Sequence, residues 1–321
     1  MSEHRTVLVT GGNGFLGSSV VRGLAEAGHR VVSGDITEPE PPVPGVERVS
    51  LDVTDPDSVR AAFADRDVEV VVHLAAVVTP GRKSSREREY AVDVTGTRNV
   101  LDGCLAHGVR RIVVSSSGAA YGYHPDNGAA NGGWLTEDDP VRGNEAFAYS
   151  HHKRLVEEML AESRSSNPEL EQVVLRIGTI LGERVDNQIT ALFEKPRLLK
   201  IRGSDSPFVF IWDTEVVAII QQAVTSTVTG IFNVAGDGAM TVDDIAAALG
   251  RRTLVIPEPL LRAVLAVGKR LGVSPYGPEQ TVFLRHRPVL DNRRLKEVFG
   301  YIPSRTSAEA FAAWQQARKQ A

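Results

Sequence analysis

A tyrosine followed four positions later by a lysine, Tyr149 and Lys153 in "YSHHK", has the residue types and spacing for proton transfer. On a helix such positions share one face. A phenol titrates at about 10, too high for a good base at neutral pH, and an ammonium one turn away favours the phenolate. The same pair also occurs on ordinary exposed helices, so the assignment depends on its surroundings. Those include "SSSGAAYG", residues 115–122, a serine cluster with Ser117 at the end of an expected strand.

A second chemistry is written in "VLVTGGNGFLGSSV", residues 7–20. From Gly12 it spells G-x-G-x-x-G; from Gly11 it spells G-x-x-G-x-x-G through Gly14 and Gly17. Both spacings imply the same physics. A buried strand over 6–10 feeds a helix with apolar positions Phe15, Leu16, Val20, Leu24 and Ala27, stopped by Gly28. Glycines at that junction let the backbone turn tightly and approach a pyrophosphate. The free N–H groups at the helix start, around Gly14, Phe15, Leu16 and Gly17, stabilise its charge. Asp35 closes "RVVSGD", 18 residues past Gly17. A carboxylate there accepts hydrogen bonds from the adenosine ribose hydroxyls and repels a 2′-phosphate, which favours NAD over NADP.

Several elements must position these groups. Strand patterns at 30–35, 47–51, 68–74, 110–115 and 172–177 alternate with helical ones, the signature of a parallel sheet covered on both faces. Asp52 and Val53 follow the third strand, where a carboxylate and the next backbone N–H can meet an adenine. "HLAA", with Leu74, Ala75 and Ala76, follows the fourth and leaves its backbone open to a cofactor. With a dinucleotide so placed, the Tyr149–Lys153 pair works beside a nicotinamide. "PDNGAANGGW", residues 125–134, is a long loop whose Trp134 is a candidate substrate-facing lid.

The 321 residues carry 36 basic against 40 acidic side chains, intermixed, for a net charge of −4, which excludes a nucleic-acid footprint and a polybasic membrane anchor. Cys104, the single cysteine, lies in an apolar pattern and reads as a packing thiol. The early first strand leaves no room for a signal peptide, and no apolar run reaches membrane-spanning length, so a cytoplasmic location is expected. His151 and His152 point about 100° apart on a helix, and no further ligands are spaced to join them, so no metal site is expected.

Taken in order, "VTGGNGFLG", "DV", "HLAA", "SSSGAAYG", YxxxK and "GIFNVAGDGAMTVDDIA" make the chain resemble the extended short-chain dehydrogenases/reductases of the NAD-dependent epimerase/dehydratase type. The resemblance covers nearly the whole chain and selects the G-x-x-G-x-x-G spacing. It implies an α/β fold, a Rossmann-type doubly wound parallel sheet with a smaller C-terminal substrate lobe. Residues 1–181 plus 207–235 would form the NAD-binding domain, and 182–206 plus 236–321 the substrate lobe. It further implies that Ser117 hydrogen-bonds the substrate oxygen, that Tyr149 exchanges its proton, and that Lys153 binds the nicotinamide ribose. A homodimer through the helices around 88–106 and YxxxK is also implied.

Departures from the family pattern bear on the substrate. Thr179 in "LRIGTILG" stands where the family commonly has an asparagine near the substrate phosphates, and Pro207 in "PFVFIWDTEVV" where it has a diphosphate-binding arginine. Arg202, Arg285 and Arg287 are candidate substitutes. Asp93 in "DVTGT" replaces the usual asparagine, and Gly118 and Ala119 replace the Asp–Glu pair a dehydratase needs. The expected activity is therefore NAD-dependent hydride transfer at a secondary alcohol or ketone carbon. The alternatives are a UDP-sugar 4-epimerase that retains its NAD, and a non-catalytic dinucleotide sensor, the latter disfavoured by an intact Ser117, Tyr149 and Lys153.

Overall fold

The β-branched run Thr6–Thr10 forms β1, four of its five residues buried, in the interior of a seven-stranded sheet. The computed structural model describes residues 4–38, 42–78, 84–271, 277–278 and 280–320. The large sheet adds β2 (Arg30–Asp35), β3 (Glu47–Ser50), β4 (Val70–His73), β5 (Arg111–Ser117) and β6 (Glu171–Ile177). Two short strands, β7 (Thr179–Leu181) and β8 (Arg197–Ile201), and then β9 (Phe210–Trp212) lie outside it; β10 (Gly230–Val234) returns to it, and β11 (Arg252–Ile256) follows. All seven strands are parallel, in the order β10-β6-β5-β4-β1-β2-β3. The order reverses between β1 and β4, which opens a crevice beyond their carboxyl ends.

Helices cover both faces. On one, α1 (Phe15–Glu26) and α7 (Asp213–Thr225) bury Val20, Leu24, Ile219 and Ile220 against Val7, Val9 and Val72. On the other, α2 (Pro56–Phe63), α4 (Gly96–Ala106) and α5 (Ala148–Ser166) pack Phe63, Leu101, Cys104 and Leu160 against Leu8, Val71 and Ile112. Short α3 (Arg86–Tyr90) runs into α4 through a π-helical turn, Ala91–Thr95. Such widened turns are rare and concentrate at functional sites.

The remaining elements are α6 (Gln188–Phe193), α8 (Val242–Ala248), α9 (Glu258–Arg270), α10 (Gln280–Arg285) and α11 (Ser307–Gln320). Of these, α6, α8 and α11 surround an aromatic cluster of Phe193, Phe208, Phe210, Phe311 and Trp314, with β8 paired to β11 and β7 to β9. These two small sheets carry no alternating pattern in the sequence and were not expected. β5 extends two residues beyond its expected end, because Ser116 and Ser117 pair with Arg176 and Ile177 of β6. A π-helical turn spans Leu295–Phe299. Among the described residues no helix is long and apolar enough to cross a membrane.

Candidate functional site

Where β1 meets α1 the turn needs its glycines. Gly11 has φ +68°, and a Cβ on it would stand 2.8 Å from the Ala75 nitrogen. A Cβ on Gly17 would lie 2.0 Å from the Gly11 carbonyl oxygen. The loops after β1 and β4 therefore touch backbone to backbone in the crevice. Gly14 caps α1, the first turn holds no acidic residue, and the N–H groups of Phe15, Leu16 and Gly17 point out of it with no preceding helical carbonyl to bind. Asp35, at the end of β2, accepts the Asn13 N–H (3.0 Å) through one oxygen and Thr37 N–H and Oγ1–H (3.0 Å each) through the other. The oxygen that accepts only Asn13 keeps a lone pair for a ligand hydroxyl. Asp52, exposed after β3, binds Thr54 through Oδ1 only, while Val53 is buried. This cradle, tight at the glycines and electropositive at the helix end, fits a dinucleotide.

Ser117, Tyr149 and Lys153 converge at the carboxyl end of β5. Lys153 is buried and donates from Nζ to the Ser115 carbonyl at 2.8 Å, which holds the ammonium 5.7 Å from the Tyr149 ring centre. Half-buried Tyr149 makes no hydrogen bond to a described residue. Ser117 Oγ accepts the Ala119 N–H (3.1 Å), and Ser150 Oγ donates to the Ala119 carbonyl (2.7 Å), so the serine turn is pinned to the helix carrying the tyrosine. Deeper, Glu157 of α5 accepts from Ser116 Oγ (2.5 Å) and binds Arg176 of β6 through two guanidinium nitrogens (2.6–3.0 Å). Burial opposes the Arg176 charge, but Glu157 outweighs it and raises the guanidinium above its ordinary value.

The sequence reading missed a second layer. Asp93, in the π-helical turn, accepts the Val77 N–H at 2.7 Å and bonds His152 Nδ1 at 2.9 Å; both side chains are buried. Through Asp93, His152 ties α5 to the loop after β4. The partners lie 59 positions apart, so no local spacing could reveal them. His73, buried at the end of β4, touches Thr10 Oγ1 (2.7 Å) and Thr97 Oγ1 (2.9 Å). Thr97 spends its hydroxyl proton on the Asp93 carbonyl (2.6 Å), so His73 Nε2 donates to it and Nδ1 accepts from Thr10. Burial first, then Lys153, lowers the His73 pKa to about 3 against the opposing effect of Asp93, leaving a neutral ring. His151 is half-buried near Arg154, and no group of three or more metal-ligating side chains occurs among the described residues.

Of the candidate arginines, Arg202 and Arg285 are exposed, and Arg285 pairs with Glu258. Arg287 alone is buried. Its Nη1 donates to Ser206 O (2.7 Å) and Oγ (3.0 Å), its Nε has no partner, and no carboxylate among the described residues pairs with it. Burial pulls its pKa down to about 9. The guanidinium stacks on Phe208 (3.8 Å) and Phe283 (4.9 Å), and Phe283 meets Tyr123, which meets Phe147 at the start of α5. Burial and then Tyr149 push the Tyr123 phenol up, while Arg287 opposes them. Thr179 and Pro207 are half-buried, with Thr179 N–H bonded to the Val209 carbonyl. Trp134 is half-buried against Tyr121, Leu135 and Leu290, so a lid role would require the loop to lift it.

The chain matches the NAD dependent epimerase/dehydratase family over residues 7–235. It is 24% identical over 321 residues to an uncharacterized protein of Mycobacterium tuberculosis (strain ATCC 25618 / H37Rv), covering 97% of this chain and 84% of that one. A 2-alkyl-3-oxoalkanoate reductase of Stenotrophomonas maltophilia is 32% identical over 200 residues, 61% of this chain and 57% of that protein. The crystal structure of Thermus thermophilus UDP-glucose 4-epimerase in complex with NAD superposes with a TM-score of 0.73 at 25% identity, covering 98% of this chain and 100% of that one.

Proposed function

The chain belongs to the NAD-dependent epimerase/dehydratase family, its cofactor is NAD, and we propose that it is an oxidoreductase acting at a secondary alcohol or ketone carbon, with Tyr149 as acid and base. The observation that carries this reading is the fixed ammonium of Lys153 beneath the Tyr149 ring, beside Ser117. NAD, when bound, accepts the hydride from the carbinol carbon or returns it to the ketone. Gly11, Gly14, Phe15, Leu16 and Gly17 would hold its pyrophosphate, Asp35 its adenosine ribose, and Asp52 and Val53 its adenine. Leu74, Ala75 and Ala76 would line its path, and Lys153 would bind the nicotinamide ribose. Ser117 then orients the substrate oxygen, and Tyr149 Oη removes or supplies the hydroxyl proton. Lys153, anchored by the Ser115 carbonyl, stabilises the negative charge that develops on Oη. Residues 182–206 plus 236–321 would form the substrate side of the cleft and 1–181 plus 207–235 the NAD side, in a homodimer.

Net oxidation or reduction is favoured over epimerisation by the substrate side. A diphosphate needs several charge-assisted hydrogen bonds, and Thr179 and Pro207 supply none of the family's usual ones, which leaves Arg287. The named activity of the 32% identical Stenotrophomonas relative points the same way. The Thermus epimerase supports the second reading, a UDP-sugar 4-epimerase with retained NAD. Sustained NADH release during turnover separates the two. Tyr149→Phe should lower turnover by about a hundredfold or more while NAD affinity stays within about twofold, since it removes a proton donor and little ground-state binding. Wild-type rates in this variant would end the assignment.

A further inference from the structure

The helices α1, α5 and α7 bury an apolar stripe, but α9 turns its own to the solvent. Leu260, Val264, Val267 and Leu271 recur at intervals of four, three and four, which sets them on one face over about 16 Å of helix. They are 57–69% exposed, and among the described residues of α9 only Leu261 is buried. A helix of 13 residues with so little packing is marginal in water and gains stability from whatever covers its apolar face. The charge around it is one-sided. From Arg251 to Leu271 the chain carries five basic residues, Arg251, Arg252, Arg262, Lys269 and Arg270, against the single acidic Glu258, in a chain whose net charge is −4. Glu258 is itself shared between Arg262 and Arg285. Charge counted over the whole chain conceals this basic segment.

We propose that α9 docks reversibly on a membrane that contains anionic lipids, with the stripe Leu260, Val264, Val267 and Leu271 inserted among the headgroups. A helix with segregated apolar and basic residues lies in the plane of such a surface, and the long stems of Lys and Arg let their charged ends reach the headgroups. Charge complementarity is worth about fivefold in binding for each cation near the surface. A protein partner fits less well, because the stripe holds no aromatic side chain and Leu and Val are poor in the hot spots of protein interfaces. A second copy fits less well again, since two stripes meeting about a two-fold axis would set two basic segments against each other. The docking is independent of the chemistry at Tyr149.

Co-sedimentation of the NAD-loaded full chain with vesicles of phosphatidylcholine, alone or with about 30% phosphatidylserine, tests this. Phosphatidylserine should tighten binding at least about tenfold, and about 0.5 M NaCl should remove most of that gain. Val264→Gln combined with Val267→Gln should weaken binding to the anionic vesicles about tenfold or more. Arg252→Gln combined with Arg270→Gln should weaken it to a similar extent and leave binding to phosphatidylcholine alone within about twofold. All four side chains are exposed, so NAD affinity and melting temperature should stay at wild-type values in both variants. Equal binding to the two kinds of vesicle, binding to neither, or variants that bind as the wild type does would each overturn the proposal. So would a dimer, seen by sedimentation velocity without lipid, that the paired valine variant dissolves, because the stripe would then be an interface between copies. An acidic protein that the wild type holds and the paired valine variant releases, without vesicle binding, would assign the stripe to that partner instead.

Discussion

Arg176 and Arg287 are both buried, yet they stand in opposite electrostatic situations. Arg176, on a central strand, meets Glu157 through two nitrogens, the Tyr121 hydroxyl at 2.7 Å and the Glu137 carbonyl at 3.2 Å. Among the described residues, Arg287, beyond α10, has only Ser206 and two aromatic faces. A buried charge is tolerated when paired and hydrogen-bonded, and is costly otherwise. The first arrangement is therefore complete within the protein and locks α5 to the sheet. The second is left incomplete among the described residues, with Nε unpartnered. The shifts agree: the Arg176 guanidinium is held above its ordinary value, while Arg287 falls to about 9. Burial without a carboxylate lowers the Arg287 pKa, so its buried cation carries a cost in stability that pairing spares Arg176.

The most forceful way to break this contrast is Glu157→Gln, which converts Arg176 into a second uncompensated cation. It should destabilise the fold by on the order of 3 kcal/mol, read from urea unfolding, and it should lower turnover as α5 loosens. A stability equal to wild type would mean that the pair contributes nothing to the anchoring of α5.

His73 sharpens the comparison because it solves the same problem by staying neutral. Its pKa is depressed to about 3, so the unfolded chain takes up a proton below pH 6.5 while the folded one does not until about pH 3. Stability is thus fully present above pH 6.5 and is lost as pH falls through that window, by up to about 1.4 kcal/mol per pH unit. In His73→Gln this part of the slope should vanish from unfolding curves recorded between pH 6.5 and 4.5; an unchanged slope would show that His73 is not its source.

The smallest change in stability is expected for Arg287→Met. Removal of an unpaired buried charge offsets the lost Ser206 contacts, so unfolding free energy should stay within about 1 kcal/mol of wild type. A loss near that of Glu157→Gln would make Arg287 a structural group like Arg176.

What the chain order determines by itself is whatever depends on near neighbours. The strand–turn–helix around Gly11 and Gly17, Asp35 at the end of β2, the alternation that builds the sheet and the Tyr149–Lys153 face are all legible, because periods of two and 3.6 residues and a glycine's missing Cβ act within a few positions. Tertiary structure decided the rest. It set Asp93 against His152, placed Ser116, Glu157 and Arg176 in one network, and inserted β10 beside β6. It also made Arg287 the one buried arginine among three candidates, since burial, and with it the energy of a charge, is fixed only when segments far apart in the chain close around it.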